Sequence, residues 1–353
     1  MSEVTMSKFS KLKRNYWIQR ARKRANQLIS SGQYREAINY LQIENNKLGS
    51  SGIENLLVQL RHDAFFAINH GTPKGIWPPN VVDLFPDCIG VPEIDASELD
   101  ATKARSAVFN HGSLIIRNLL SAEQIELLIH STDKSFEAFD NAANLQKNQS
   151  WFTPLTSSHV DENLDGDRPF VREGGGVLAA ESPQAMFHLI DTLKETAIIE
   201  LVSEFLEERP ALSVKKTTLR CVDPSLEARN GWHQDGAFLG EGIRTLNVWI
   251  ALSDCGVRSP SMDMIPRRLN EIVPTGTEGA WFDWSISPKV IDQVLEQGNL
   301  QHLIFRAGDA IIFDEMNLHR TSTSSEMSEK RYAVECWFFA PSCYPMDQLP
   351  ILL

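Results

Sequence analysis

Two short pairs in this chain have metal-binding spacing: His159-Val-Asp161 and His233-Gln-Asp235. A histidine and an aspartate separated by one residue project to the same side of extended chain, so both can reach one cation. One more histidine completes a set of two imidazoles and one carboxylate. That set leaves three adjacent positions open on non-haem Fe(II). Context separates the pairs. His159 lies in SSHVDENLDGDR, a polar and acidic stretch with no strand signal. His233 lies in NGWHQDG, ahead of a segment of period two. Beyond Asp235 by 319 − 235 = 84 residues, AGDAIIFDEMNLHRT supplies a Gly308-Asp309 turn, a short apolar strand and His319 at its end. His62, His70, His130 and His188 fall in helical segments and are read as structural.

Twelve residues after His319, Arg331 opens the apolar segment RYAVECWFF. A guanidinium at the start of a buried strand is costly without an anion, and bidentate pairing with a carboxylate is the natural remedy. A structural ion pair would satisfy it. So would 2-oxoglutarate, whose keto acid end chelates Fe(II) while its far carboxylate meets the arginine.

These residues need strands to carry them. LSVKKTTLR (212–220), TLNVWIAL (245–252), HLIFRA (302–307), DAIIF (309–313) and RYAVECWFF (331–339) alternate with period two between turn-rich loops. The expected fold is a mainly β core with flanking helices, a double-stranded β-helix or jelly roll. Ahead of it, LIIR (114–117) reads as a short buried strand. Ser121 to Gln124 forms a capping box opening a helix. Ser182-Pro183 opens another, with Met186, Leu189, Leu193, Ala197 and Leu201 on one face and Pro210 as its stop. Residues 25–70 are helical, and GQYREAINYL is like one tetratricopeptide helix pair without a second copy. GTPKGIWPPN (71–80) is a linker. This divides the chain into a helical extension, 1–75, and a catalytic domain, 76–353.

Composition narrows the function classes. With 42% hydrophobic and 23% charged residues, disorder and collagen-like repetition are excluded. A net charge of −12 argues against a general nucleic-acid binder. Residues 1–24 carry 8 − 1 = +7, so the rest carry −12 − 7 = −19. Those basic residues precede no apolar stretch of signal-peptide type and read as a solvated first helix, with an organelle transit peptide as the lesser reading. No run is long and apolar enough for a membrane span. Five scattered cysteines suit reduced thiols in the cytoplasm.

WHQDG, the strand ending in VWIAL, the GD…LHRT block and RYAVECWFF occur in the order and spacing of the phytanoyl-CoA dioxygenase family, which residues 105–340 resemble. The resemblance implies Fe(II) held by His233, Asp235 and His319, and 2-oxoglutarate held by Arg331. It also implies that Gln234, Trp249 and Thr321 line the co-substrate pocket. Strand alternation puts Asn247 and Thr245 on the face of Trp249. The implied reaction is hydroxylation of a small molecule by O₂, coupled to decarboxylation of 2-oxoglutarate to succinate. Halogenating relatives replace the carboxylate ligand by Gly or Ala, whereas Asp235 is present here.

The chain departs from the family at IPRRLNEIV, where many relatives read Pro-Gly-Ser-His. The insert TGTEGAWFDWSISP that follows is expected to cover the pocket mouth. Arg172, Lys216, Arg220, Arg267 and Arg268 are candidate contacts to an anionic substrate. The triple glycine 174–176 is a flexible loop or a phosphate cradle, and the acidic stretch 161–167 a lid or a solvated loop. Two rival readings stay open. One is a cupin-like metalloenzyme that does not use 2-oxoglutarate; the other is a non-catalytic jelly-roll scaffold whose residues 1–70 dock a protein partner.

Overall fold

From residue 211 onward, alternate side chains of each strand enter different cores, and that alternation builds the molecule. The computed structural model describes residues 3–141, 150–159, 169–225, 231–277, 279–280, 283–296 and 299–353, without the side chains of 3–12 and 169. Asp161, the acidic stretch 161–167, and Glu278, Trp281 and Phe282 of the insert lie outside the described residues.

The strands are β1 (Glu93–Asp95), β2 (Ser113–Arg117), β3 (Gly176–Leu178), β4 (Ala211–Val222), β5 (Thr245–Ala251), β6 (Ser261–Arg268), β7 (Gln301–Leu303), β8 (Ala310–Phe313), β9 (Asn317–Ser322), β10 (Arg331–Phe339) and β11 (Pro350–Leu352). An eight-stranded sheet runs β1-β2-β8-β5-β10-β4-β11, with β3 paired to β4. A three-stranded sheet, β7-β6-β9, forms the second layer. On β5 and β10, Leu246, Val248, Ile250, Val334, Cys336 and Phe338 enter one hydrophobic core. Trp249, Ala333, Trp337 and Phe339 enter the other, with Met262 and Met264 of β6. The second core is the jelly-roll interior. Burial on both faces explains why β5 is covered at every position.

The helices are α1 (Glu3–Ser30), α2 (Tyr34–Leu48), α3 (Ser51–Ala67), α4 (Ala101–His111), α5 (Ala122–Asp140), α6 (Pro169–Glu173), α7 (Pro183–Glu195), α8 (Ile198–Leu206), α9 (Gly236–Leu239) and α10 (Pro288–Leu295). Helices α4, α5, α7 and α8 supply side chains to the outer core. Helices α1 to α3 share the interior core through residues such as Ala25, Leu41 and Phe65. Helix α3 also grips the last strand, since Arg61 Nη1 donates to the Leu352 carbonyl at 2.7 Å. No described helix is long and apolar enough to cross a membrane.

The capping box at Ser121 and Gln124 forms as expected, and β10 has the predicted limits. Elsewhere the chain differs. The expected single helix from 183 to 210 is two, because Ala197 takes a left-handed conformation (φ 56°) and turns the chain between α7 and α8. β7 stops at Leu303, with Phe305 joined to Cys255 by an isolated bridge. Strands β6 and β9 carry no clean alternation in their sequences. Pro266 weakens the strand signal of one, and polar side chains weaken the other. The triple glycine is neither a free loop nor a cradle, because Gly175 packs on β4 and its carbonyl accepts the Cys221 amide.

Gly308 makes the turn into β8. Its φ is +93°, and a Cβ there would stand 2.9 Å from the Leu120 carbonyl oxygen. Gly308→Ala should therefore cost roughly 2–4 kcal/mol of stability, read as a lowered urea midpoint.

On the small sheet, His302 Nδ1 bonds Asp263 at 2.8 Å and Nε2 bonds the Gly256 carbonyl at 2.8 Å. Burial pulls this imidazole down, but those two bonds outweigh it and raise its pKa. Its contribution is thus complete below the unfolded-state pKa and fades as pH rises through the folded one. His302→Gln should destabilise more at pH 5.5 than at pH 8.5, by under about 1 kcal/mol because the ring is part-exposed.

Candidate metal centre and co-substrate pocket

His233 does not lie on a long strand. It forms an isolated bridge with His319, each amide donating to the other's carbonyl at 3.0 and 3.1 Å. Nor does His319 end the apolar strand: β8 closes at Phe313, and His319 sits within β9, opposite Met264. Asp235 turns into the helical region (φ −61°) at the start of α9. Two distant segments are thereby stitched together by backbone, and the three side chains converge. Their ligand atoms all lie within 4.8 Å of one another. His319 Nε2 is 3.6 Å from Asp235 Oδ2.

Each imidazole is turned by a bond from its other nitrogen. His233 Nδ1 lies 2.9 Å from the Gly231 carbonyl and His319 Nδ1 lies 3.3 Å from that of Asn317. A carbonyl requires Nδ1–H as donor, and in that tautomer Nε2 is the nitrogen available to a metal. Burial and the neighbouring His233 lower the His319 pKa to about 4. Burial opposes ionisation of Asp235, yet Lys216 and the two imidazoles hold its carboxyl down at about 2. Two imidazoles and a carboxylate face one point, the donor set that Fe(II) takes in a facial triad.

Arg331 lies on the same interior. It is 4% exposed, its Nη1 donates to the Ser261 carbonyl at 3.2 Å, and its guanidinium carbon stands 5.6 Å from the centre of the Trp249 ring. Among the described residues its buried Nε has no partner, nor has the Asn247 side-chain oxygen. Burial lowers its pKa to about 10, so it stays charged without an ion pair. The structural salt bridge considered for it does not form among the described residues. A buried guanidinium with a spare donor, on the interior of the barrel that holds the triad, fits a carboxylate of a small dicarboxylate. Asn247 lies farther along, opposite Trp337 of β10.

Thr321 is opposite Met262 on β9, two residues from His319 and beside the strand that receives Arg331. Gln234 is used otherwise. Its amide accepts from the Val273 N–H at 2.7 Å and donates to the carbonyls of Met316 and Glu271. It pins the loop after β6 to the chain ahead of β9, which commits its polar atoms to backbone.

The cations expected at the mouth are mostly spoken for. Arg172 is half-buried and pairs with Asp140 at 2.7 Å. Arg268 pairs with Asp314 at 2.5 Å, and Arg267 Nη2 donates to the Val294 carbonyl. Arg220 does face the interior, where it and Thr218 bind Glu335 at 2.7 and 3.1 Å. Lys216 reaches Asp235 itself, Nζ to Oδ1 at 2.9 Å.

Three contributors escaped sequence reasoning. Glu335 shares the interior face of β10 with Arg331, and its charge at that alternation was the available signal. Phe238 stacks on His233 at 6.1 Å, and Trp284 stands edge-on to it at 5.6 Å. Trp284 comes from the insert, whose next residues pack on 231–232: Ile286 N donates to the Trp232 carbonyl. The described part of the insert thus flanks the metal cluster, as expected of a cover.

Jelly roll, facial triad and buried arginine together define an Fe(II)/2-oxoglutarate oxygenase. The phytanoyl-CoA dioxygenase profile matches residues 109–330, and the chain belongs to that family. No curated protein matches the sequence. Among solved structures, AviO1 from Streptomyces viridochromogenes Tue57 is similar at 15% identity, with TM-score 0.46 over 70% of this chain and 98% of that one. EctD from S. alaskensis, solved with 2-oxoglutarate and 5-hydroxyectoine, is similar at 14% identity, with TM-score 0.45 over 68% and 76%. EvdO2 from Micromonospora carbonacea var. aurantiaca is similar at 15% identity, with TM-score 0.42 over 71% and 92%.

Proposed function

We propose that this protein hydroxylates a C–H bond of a small molecule, with residues 76–353 as the catalytic domain and residues 1–75 bracing it. His233, Asp235 and His319 would hold Fe(II). Arg331, with Trp249 against its guanidinium and Thr321 on the neighbouring strand, would hold the far carboxylate of 2-oxoglutarate, and Asn247 would line the same interior farther along β5. The observation that carries this reading is the unpartnered Nε of Arg331, buried in the interior that also carries the triad. A cupin-like enzyme without 2-oxoglutarate has no use for that charge. When bound, iron would activate O₂, the oxidant, with 2-oxoglutarate supplying two electrons as it becomes succinate and CO₂ and the substrate C–H supplying the other two as it becomes C–OH.

The protein's own share is positioning and exclusion of water. The bonds from Gly231 and Asn317 aim the two imidazoles, and the Gln234 amide ties together the loops that flank them. Phe238 and Trp284 border the cluster with aromatic surface, so the substrate presents an apolar or planar portion to them. Lys216, Arg172, Arg220 and Arg268 each already face a carboxylate, so substrate selection rests first on that aromatic border. The test is succinate formation by iron-loaded protein in air, first alone and then with a small-molecule library. Iron- and O₂-dependent succinate, stimulated by one compound class, is expected. Iron-loaded protein that leaves 2-oxoglutarate intact throughout would point to the cupin-like alternative.

A further inference from the structure

The two oxygens of Asp235 have different neighbours. Oδ2 is 3.6 Å from His319 Nε2, on the side where the ligand atoms converge. Oδ1 is 2.9 Å from Lys216 Nζ. The lysine is held in place from both ends. Its backbone amide donates to Ser213 Oγ at 3.0 Å, within the irregularity where β4 slips its register against β10. Its ammonium lies 4.1 Å over the ring of Phe238, three residues beyond Asp235. Bulges of this kind re-aim side chains next to sites. An ammonium touching a metal-binding carboxylate is electrostatically unfavourable for a cation, so its placement calls for a compensating use.

Resting on the iron reading above, we propose that Lys216 is a positioning residue. It reserves Oδ1 so that Asp235 ligates through Oδ2 alone, which keeps open the positions that 2-oxoglutarate needs. The arrangement sacrifices metal affinity for coordination space. Without Lys216, a repelling charge is gone and Oδ1 is free to chelate. Metal then binds more tightly and co-substrate less tightly.

The test uses the full-length protein, stripped of metal, at pH 7.5 without O₂. Co(II) is titrated first, by calorimetry and by its visible absorption, and 2-oxoglutarate is then titrated into the Co(II) protein. Lys216→Met should tighten Co(II) binding by about tenfold, the size of other effects on residues behind metal ligands but of opposite sign. It should weaken 2-oxoglutarate binding by about tenfold, and lower the intensity of the Co(II) bands as coordination number rises. Lys216→Arg should restore the wild-type 2-oxoglutarate affinity. Tighter Co(II) with unchanged 2-oxoglutarate affinity and unchanged bands would overturn the proposal, leaving Lys216 as a counter-ion of the metal-free state. Unchanged Co(II) affinity would overturn it as well. Wild-type protein that binds no Co(II) would remove the iron reading, and this inference with it.

Discussion

His319→Ala protein should bind iron at least about a hundredfold more weakly than wild type and form no succinate. A ligand behind which a single hydrogen bond matters tenfold or more is itself worth more than that. The geometry explains why nothing nearby can replace it. His319 contributes Nε2 from within β9, and its backbone is bonded in both directions to His233. The alanine variant keeps those backbone bonds, so His233 and Asp235 stay in place as a two-ligand remnant. Contacts of the imidazole with Phe313 at 4.8 Å and with His233 at 4.5 Å are lost, so some stability is lost too. Iron content after anaerobic reconstitution and desalting checks the prediction, with cooperative thermal unfolding as the control for folding. Wild-type iron content in the variant would mean that the triad has been misassigned.

Arg331→Met should separate stability from co-substrate binding. In the ligand-free protein Arg331 is a buried charge with one carbonyl partner and an unsatisfied Nε. Replacing it by an apolar side chain of similar length should leave the melting temperature of the ligand-free protein unchanged or higher. Loss of one partner of a desolvated charge pair costs about 2–5 kcal/mol, so the 2-oxoglutarate requirement should rise by roughly a hundredfold or more. The thermal shift that saturating 2-oxoglutarate and metal give wild type, about 2.7 kcal/mol at a hundred times Kd, should largely disappear. An unchanged requirement for 2-oxoglutarate would show that its far carboxylate binds elsewhere.

Much of this was legible in sequence because alternation is a local signal. Arg331 is visible as a charge where β10 should be apolar, and Trp249 and Asn247 share a face because the strand period is two. The triad was legible from residue type and order, but its scaffolding was not. His233 and His319 are paired by a single bridge between segments far apart in sequence, and the strand signals nearby belong to β5 and β8 rather than to the residues that form that bridge. β9 reads as polar because its outward side chains, such as Arg320 bound to Asp263, are solvated or ion-paired. β6 is interrupted by Pro266. The partners of the arginines were hidden for a related reason. A cation shows in sequence, whereas the carboxylate that neutralises it is 32 residues away for Arg172 and 115 for Arg220. Glu335 was as legible as Arg331 by the same alternation rule, and its role follows only once β4 is seen beside β10.

The most direct test of the central claim is optical and needs no substrate. Under argon, Fe(II) followed by 2-oxoglutarate should give the wild-type protein a weak visible charge-transfer band, because the keto acid can chelate only a metal with two adjacent open positions. The account predicts that the band is absent in His319→Ala and that Arg331→Met needs far more 2-oxoglutarate to produce it. Iron-loaded wild-type protein that shows no band at saturating 2-oxoglutarate would contradict it.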